Sequence, residues 1–279
     1  MKISALFRRL LFWLLPFRQY LAVLRRMYFL YYYLGLLKNN KLYTYTYFLK
    51  NVIRPDDIVI DIGANLGYFT RLFAKWVGKN GEVYAVEPIM DIVAVLKRNV
   101  RKHQNVTILP YAIGSEDKDI ELGNTARKRR GYISSGSHFV VEDHEQTGNV
   151  EIDLFPAKMK RGSQLFNDLR DLHFIKIDVE GYETIVLPEL QEIIIRFHPM
   201  ILVEARRENR TIVLSFMKDL GYVGFEFDND EFVQVGRGTS GYEGDILFFH
   251  SSNIDRLPKN TKAAKHEINF PEIVKEENK

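Results

Sequence analysis

Cysteine is missing from all 279 positions. Disulfide scaffolds, thiolate zinc or iron–sulfur sites and thiol nucleophiles are therefore excluded together. Histidine is scarce, with seven in the chain and no spacing that would build a transition-metal site. Acidic residues are absent before Asp56, although ten Lys or Arg precede it (Lys2, Arg8, Arg9, Arg18, Arg25, Arg26, Lys38, Lys41, Lys50, Arg54). The remaining residues hold 29 basic against 36 acidic side chains, so a net charge of +3 conceals a basic head on an acidic body. Such a head points to a partner of its own. Long uncharged apolar runs are lacking too. Arginines interrupt residues 3–37, and the longest uncharged stretch, Met27–Leu37, is far short of the roughly 20 residues of a spanning helix. The segment also has neither the single apolar block nor the small-residue site of a cleaved leader.

What the head does contain is Leu, Phe, Trp and Tyr interleaved with arginine: fourteen of the chain's 36 aromatics lie between Phe7 and Phe48. Apolar side chains of this kind sink to an acyl boundary while arginine stems reach back to phosphates. Residues 1–50 therefore read as a basic, amphipathic helical arm, with residues 1–40 facing a membrane surface. The competing reading is a pair of helices packed on the body with their arginines toward water. The segment is too apolar for a solvated nucleic-acid groove, and no nucleic-acid partner is expected.

From Asp57 the pattern is regular. Strand-like runs at Asp57–Gly63, Glu82–Pro88 and Asn105–Ile113 alternate with helical spacing at Tyr68–Val77 and Ile89–Lys102. Residues 114–162 break the rhythm with Gly, Ser and charge, and read as a loop or insertion holding one short strand candidate, Val150–Phe155. Order returns with His173–Glu180, a helix over Glu183–Arg196, the strand Pro199–Glu204, a helix near Asn209–Leu220 and strands at Tyr222–Phe227 and Asp245–His250. Strands alternating with helices predict an α/β fold with a doubly wound, mostly parallel sheet over residues 51–250. Residues 251–279 read as a loose polar tail.

The segment Asp61-Ile-Gly63-Ala64-Asn65-Leu66-Gly67 joins the first strand to the first helix, where glycines let the backbone pass close to a ligand. Glu87 ends the second strand, placed to accept both ribose hydroxyls of an adenosine-type cofactor. A dinucleotide fingerprint would need glycine at positions 65 and 68. Asn65 and Tyr68 stand there, so a pyrophosphate fits poorly. S-adenosylmethionine carries no phosphate, and Asp61 is placed for its amino group. A nicotinamide-dependent oxidoreductase, or a membrane-bound scaffold with a vestigial pocket, is the alternative.

The set Asp61-Ile-Gly-Ala-Asn-Leu-Gly-Tyr-Phe-Thr70, Val86-Glu87-Pro88, Ala112-Ile113-Gly114 and Ile175-Lys-Ile-Asp-Val-Glu-Gly181 resembles the FkbM family of methyltransferases, over roughly Asn51 to His250. The resemblance implies the Rossmann-like class I methyltransferase sheet, seven-stranded with an antiparallel last strand. It also implies methyl transfer from S-adenosyl-L-methionine, typically to a hydroxyl of a natural product, sugar or glycolipid. Asp61, Gly63, Ala64, Asn65 and Gly67 would border the methionine end, Glu87 and Pro88 the ribose, and Tyr111–Ser115, with Ala112 and Ile113, the adenine. Ser115 stands where the family often has an acid. By the same resemblance the acceptor is a small molecule, a saccharide or a lipid-linked compound; the basic head, which the resemblance does not cover, adds the expectation of a cytoplasmic enzyme at a membrane face.

Methyl transfer to an alcohol needs alignment and a group to take the hydroxyl proton. On a strand Lys176, Asp178 and Glu180 would share one face. Three ionisable groups there are costly unless functional or paired. Asp178 is the expected base or acceptor-orienting residue, Glu180 and Glu204 are further candidates, and His138 in Ser134-Ser-Gly-Ser-His138 is a candidate proton carrier over the acceptor. An internal charge network is the alternative for the trio. Three carboxylates could also take Mg²⁺, but no metal is assigned. Arg127-Lys-Arg-Arg130 could meet an anionic substrate, though a solvated loop is the simpler reading. Asn105-Val-Thr107 and Asn209-Arg-Thr211 match glycosylation sequons by chance.

Overall fold

A computed structural model describes residues 5–38, 40, 43–125, 131–136, 138–141, 152–205, 207–228, 231–235, 244–257, 268, 270 and 271. Arg127–Arg130 and Val150 lie outside the described residues. Runs of β-branched residues form buried parallel strands: β1 (Ile58–Ile62), β2 (Glu82–Val86), β3 (Val106–Leu109), β8 (Phe174–Ile177) and β9 (Met200–Ala205). With β10 (Tyr222–Asp228), β11 (Glu231–Gln234) and β12 (Gly244–His250) they make one sheet, ordered β11-β10-β12-β9-β8-β1-β2-β3. Pairs from β3 to β9 are parallel, and β12 runs antiparallel to both β9 and β10. The order reverses direction between β1 and β8, and a ligand crevice forms beyond the strand ends at such a point. The sheet has eight strands because β11 adds an antiparallel edge to β10.

Helices cover both faces. The short α3 (Thr44–Phe48) precedes β1 and buries Tyr45 and Phe48 against one face of the sheet. α4 (Tyr68–Trp76) and α5 (Met90–Val100) follow β1 and β2. α6 (Gly162–Leu165), α7 (Glu183–Glu189), α8 (Gln191–Phe197) and α9 (Arg207–Asp219) follow later. The single helix expected over 183–196 is two, α7 and α8. Pro188 lies in α7's last turn and has no amide to continue it. The strand expected over 105–113 is also two. At Pro110 the chain leaves β3 and enters β4 (Ala112–Gly114) of another sheet, since proline cannot donate to a ladder.

That other sheet is the main departure from the sequence reading of 114–162 as loop. Strands β5 (Lys118–Asn124), β6 (Phe139–Val140) and β7 (Asp153–Arg161) pair with β4 in the order β4-β7-β5-β6. One face, with Ile120, Leu122 and Met159, is buried. The helical arm closes that face: in α2 (Phe17–Tyr33), Tyr20, Leu21 and Leu24 share a core with Ile89, Ile92 and Val95 near or on α5 and with the second sheet. Phe17 lies on Phe155 with centroids 6.2 Å apart, and Arg18 Nε donates to Asp91 at 2.5 Å. α2 is thus part of the packed body, correcting its reading as a separate arm, whereas α1 (Ala5–Leu14) buries none of its residues. Among the described residues no helix is long and apolar enough to cross a membrane.

The start of the expected loose tail is held. Ser251–Arg256 forms a 3₁₀ turn capped by His250. Arg256 donates from both Nη atoms to buried Asp57, at 2.6 and 2.9 Å, and Leu257 is buried. Breaking a buried pair strands a charge. Arg256→Ala should therefore destabilise the protein by about 3 kcal/mol in urea unfolding; a change under about 0.5 kcal/mol would show that the clip is dispensable. Both sequon asparagines are engaged inside the fold. Asn105 Nδ2 donates to Ala74 O and Gly78 O, and Asn209 Nδ2 to Gly181 O and Glu183 Oε2.

Candidate active site

A cleft lies beyond the carboxyl ends of the central strands, with about 820 Å³ of space that includes its open mouth. Its floor is set by the turn after β1. Gly63 N and Ala64 N both donate to Val86 O, at 3.0 and 2.9 Å, tying that turn to the end of β2. Gly63 has φ +75° and no room for a side chain, since a Cβ would fall 1.9 Å from Asp178 O. Asn65 is also left-handed (φ +52°), and its Oδ1 accepts from Leu66 N at 2.8 Å. Gly63 and Asn65 line the cleft, but Ala64 and Gly67 do not. Gly67 instead opens α4 in a left-handed conformation, with Asn99 Nδ2 donating to its carbonyl at 2.8 Å.

Asp61 is not among the residues lining the cleft. Side chains alternate along β1: Ile60 and Ile62 join one core, Val59 the other. Asp61 falls on the α4 side, fully buried. Its Oδ2 accepts from Thr70 Oγ1 at 2.6 Å, and Oδ1 has no hydrogen-bond partner among the described residues. Burial raises its pKa, against the opposing pull of Lys176, which is its register partner on β8.

Glu87 lines the cleft just past β2. Oε2 accepts from Asn65 N and Oε1 from Ile89 N, both at 3.0 Å. Burial is the largest influence on its pKa, pushing it to about 7 over the lowering effect of those amides. A carboxylate has about four acceptor sites, so each oxygen keeps one for a ligand hydroxyl. Pro88, Ile89, Tyr111, Ala112 and Ile113 continue the wall.

The other end is acidic. β8 stops at Ile177, so Asp178 and Glu180 lie in the loop and do not share a strand face with Lys176, contrary to the strand reading. Glu180 is left-handed (φ +54°) and Gly181 follows at φ +106°. Fully buried Glu183 holds this turn, accepting from Gly181 N at 2.8 Å and from Asn209 Nδ2 at 2.8 Å. Lys176, 3% exposed, donates to Asp178 Oδ2 at 2.9 Å. Its pKa is raised by Asp178 and Asp61 even though burial, the largest influence, acts the other way. Glu204 projects from β9 into the cleft, hydrogen-bonded to Asp178. Burial and repulsion from Asp178, Asp245 and Glu180 raise its pKa strongly; because Glu204 is open at the mouth, the repulsion is the firmer cause. It therefore keeps a proton at neutral pH. Asp245 stands opposite Glu204 on β12, its pKa pushed up to about 6 by burial. Asp178, Glu180 and Glu204 are thus brought together, but among the described residues no acidic group has metal-holding geometry.

His138 reaches the cleft from the roof. Burial lowers its pKa to about 4, so the ring is neutral. Nε2 sits 3.1 Å from Asn124 Nδ2, and the Ser135 backbone also bonds the ring. It suits a pin holding the roof better than the proton carrier expected. Sequence reasoning missed Asp245, Glu183 and Asn209, whose roles depend on pairing between distant segments.

Residues 61–223, more than half of the chain, match the family model "Methyltransferase FkbM domain". The chain is 33% identical over 58 residues to the protein-L-isoaspartate O-methyltransferase of Caenorhabditis elegans, covering 21% of this chain and 26% of that protein. It is 31% identical over 101 residues to the ribosomal RNA small subunit methyltransferase A of Syntrophus aciditrophicus, covering 34% and 35%. The chain therefore spans about a third or less of these curated relatives. A methyltransferase FkbM of Methylobacillus flagellatus aligns in structure with TM-score 0.45 and 15% identity, over 70% of this chain and 44% of the other. On the strength of the family match, which spans the glycine turn, Glu87 and the Asp178 loop alike, the chain belongs to the FkbM methyltransferase family.

Proposed function

We propose that this chain transfers the methyl group of S-adenosylmethionine to a hydroxyl of a saccharide, glycolipid or other lipid-linked acceptor, at a membrane surface reached through the basic N-terminal segment. One observation carries the reading. A single cleft has a ribose-type carboxylate at one end and, at the other, a carboxylate pair beside one buried ammonium. The residues fit the cofactor: Glu87 keeps one acceptor site per oxygen, the wall from Pro88 to Ile113 suits adenine, and the bare Gly63 leaves its turn open to close approach. The bound cofactor supplies an electrophilic methyl carbon. The chain's own residues supply alignment and a proton acceptor. Glu204 already holds a proton, so Asp178, anchored by Lys176, is the member of the pair able to receive one from an acceptor hydroxyl.

Calorimetry with S-adenosylhomocysteine tests the cofactor, and a labelled methyl donor with extracted polar lipids and glycans tests the acceptor. Binding of NAD without adenosylhomocysteine would overturn the reading. Glu87 adds a pH signature. Its folded pKa of about 7 lies above the ordinary glutamate value of 4.5, so its contribution to stability is full below pH 4.5 and is lost as pH rises through 7. The carboxylate form is the better acceptor for two hydroxyls. Adenosylhomocysteine affinity should therefore rise from pH 6 to pH 8. Glu87→Gln should weaken binding by about 10- to 100-fold, from hydrogen bonds to a charged group of roughly 1.5–3 kcal/mol, and should flatten that rise. An unchanged pH profile in the variant would remove Glu87 from the ribose site.

A further inference from the structure

We propose that α1 is a membrane-responsive cover on the cleft roof, such that docking its outer face on an anionic phospholipid surface weakens cofactor binding. This rests on the membrane part of the function proposed above and adds a regulatory consequence. At about 100° per residue, Trp13, Leu6, Leu10, Leu14 and Phe7 fall in one arc, and they are 81%, 76%, 49%, 57% and 41% exposed. Exposed Arg9 flanks the arc, exposed Arg26 follows in α2, and no acid occurs before Asp56. An apolar face with basic flanks complements an anionic bilayer.

The inner side of the same helix holds the roof. Arg8 Cζ lies 5.7 Å over the Tyr132 ring, and Arg9 Nε is 3.1 Å from where a Cβ on Gly131 would stand. Tyr132 and Ile133 are buried. The next residues enter the site: Ser134 O accepts from Asn124 Nδ2 at 3.0 Å, and Ser135, Gly136 and His138 line the cleft. The layer beneath α1 is incompletely satisfied, since Arg8 Nε and Tyr20 Oη are buried without hydrogen-bond partners among the described residues. A lipid phosphate offers an acceptor to Arg8 Nε, which has none among the described residues. Rolling α1 onto a bilayer then removes the Arg8–Tyr132 and Arg9–Gly131 contacts and loosens the segment that roofs the cofactor. The coupling is reciprocal, so cofactor must equally weaken bilayer affinity.

The test uses the full chain, vesicles of phosphatidylglycerol with phosphatidylcholine, vesicles of phosphatidylcholine alone, and inorganic phosphate. With anionic vesicles, co-sedimentation should show binding, and calorimetry should show the adenosylhomocysteine Kd at least about 5-fold weaker, the lower end of usual coupling. Leu10→Gln with Trp13→Gln should keep the Kd in buffer and lose both vesicle effects. Arg8→Ala should still bind vesicles, with the Kd no longer responding. An unchanged Kd in vesicle-bound protein overturns the coupling alone. The same weakening by phosphate without vesicles assigns the effect to a free anion and overturns the bilayer. A concentration-dependent dimer that shields Trp13 makes a second copy the occupant and overturns it too. Absence of adenosylhomocysteine binding in buffer sinks the cofactor reading, and this proposal with it.

Discussion

Asp178→Asn should lower kcat by about 10²- to 10⁴-fold, the usual worth of a positioned general base, while leaving the adenosylhomocysteine Kd within about threefold. The amide keeps the shape of the side chain but cannot accept a hydroxyl proton. The remaining cluster stays intact: Lys176 retains Asp61 and Asp245 as neighbouring charges, so the buried ammonium is not left alone. Glu204 responds in a definite direction. Asp178 is among the charges that raise its pKa, so removing that charge lets Glu204 ionise at lower pH. The pH profile of the residual rate should change accordingly. Full activity in the variant, with an unmoved pH profile, would reduce the Lys176–Asp178–Glu204 group to an internal charge network.

The second large effect belongs to a residue with no side chain. Gly63→Ala places a methyl 1.9 Å from the Asp178 carbonyl oxygen, in a left-handed conformation at φ +75°. A backbone oxygen cannot swing aside as a side chain can. Either β1's exit turn or the Asp178 loop must move, and both border the cleft. Destabilisation of about 4 kcal/mol is expected, at the severe end for single substitutions, together with loss of cofactor binding. Gly78 is the internal control. It has nearly the same φ, +74°, but among the described residues nothing lies within 4 Å of where its Cβ would stand. Gly78→Ala should therefore cost only the left-handed backbone penalty, about 1 kcal/mol. Urea unfolding of the two variants isolates the close approach from the conformation. Equal costs would mean that the packing of Gly63 against Asp178 is not tight.

Much of the cofactor end was legible in the sequence. A buried strand, a glycine turn and an acid at the next strand end are neighbours along the chain, and parallel β-α-β units carry them to the same sheet edge with one handedness. The acceptor end was only half legible. Asp178 and Glu204 were found from their positions at the ends of apolar runs, but strand alternation was extended too far into the loop after Ile177, and Glu180 was placed on a face it does not share. Asp61 is buried in the α4 layer beside Thr70 rather than on the cleft wall, because a one-residue step along β1 turns a side chain from one layer to the other. Of the second sheet only part of β7 was read, through the strand candidate Val150–Phe155, and the end of the run to Ile113 reached β4. β5 and β7 are charge-rich sequences (KDIELGN and DLFPAKMKR) that pair across a long intervening segment, and their half-apolar faces become strands only when α2 and α5 cover them.

The amino-acid order by itself determined the doubly wound sheet, the meeting of Gly63 and Glu87 at one cleft, and the basic, aromatic character of the head. These follow from local periodicity, from glycine's conformational freedom and from composition. Tertiary structure alone decided that α2 belongs to the core while α1 packs only its inner side, with Leu11 and Phe12, against it, that Asp245 joins Lys176 near Asp178, and that His138 sits in the roof beside Asn124. Each of those outcomes depends on burial and on charges brought together from distant segments, which desolvation and Coulomb repulsion act on only once the chain has folded.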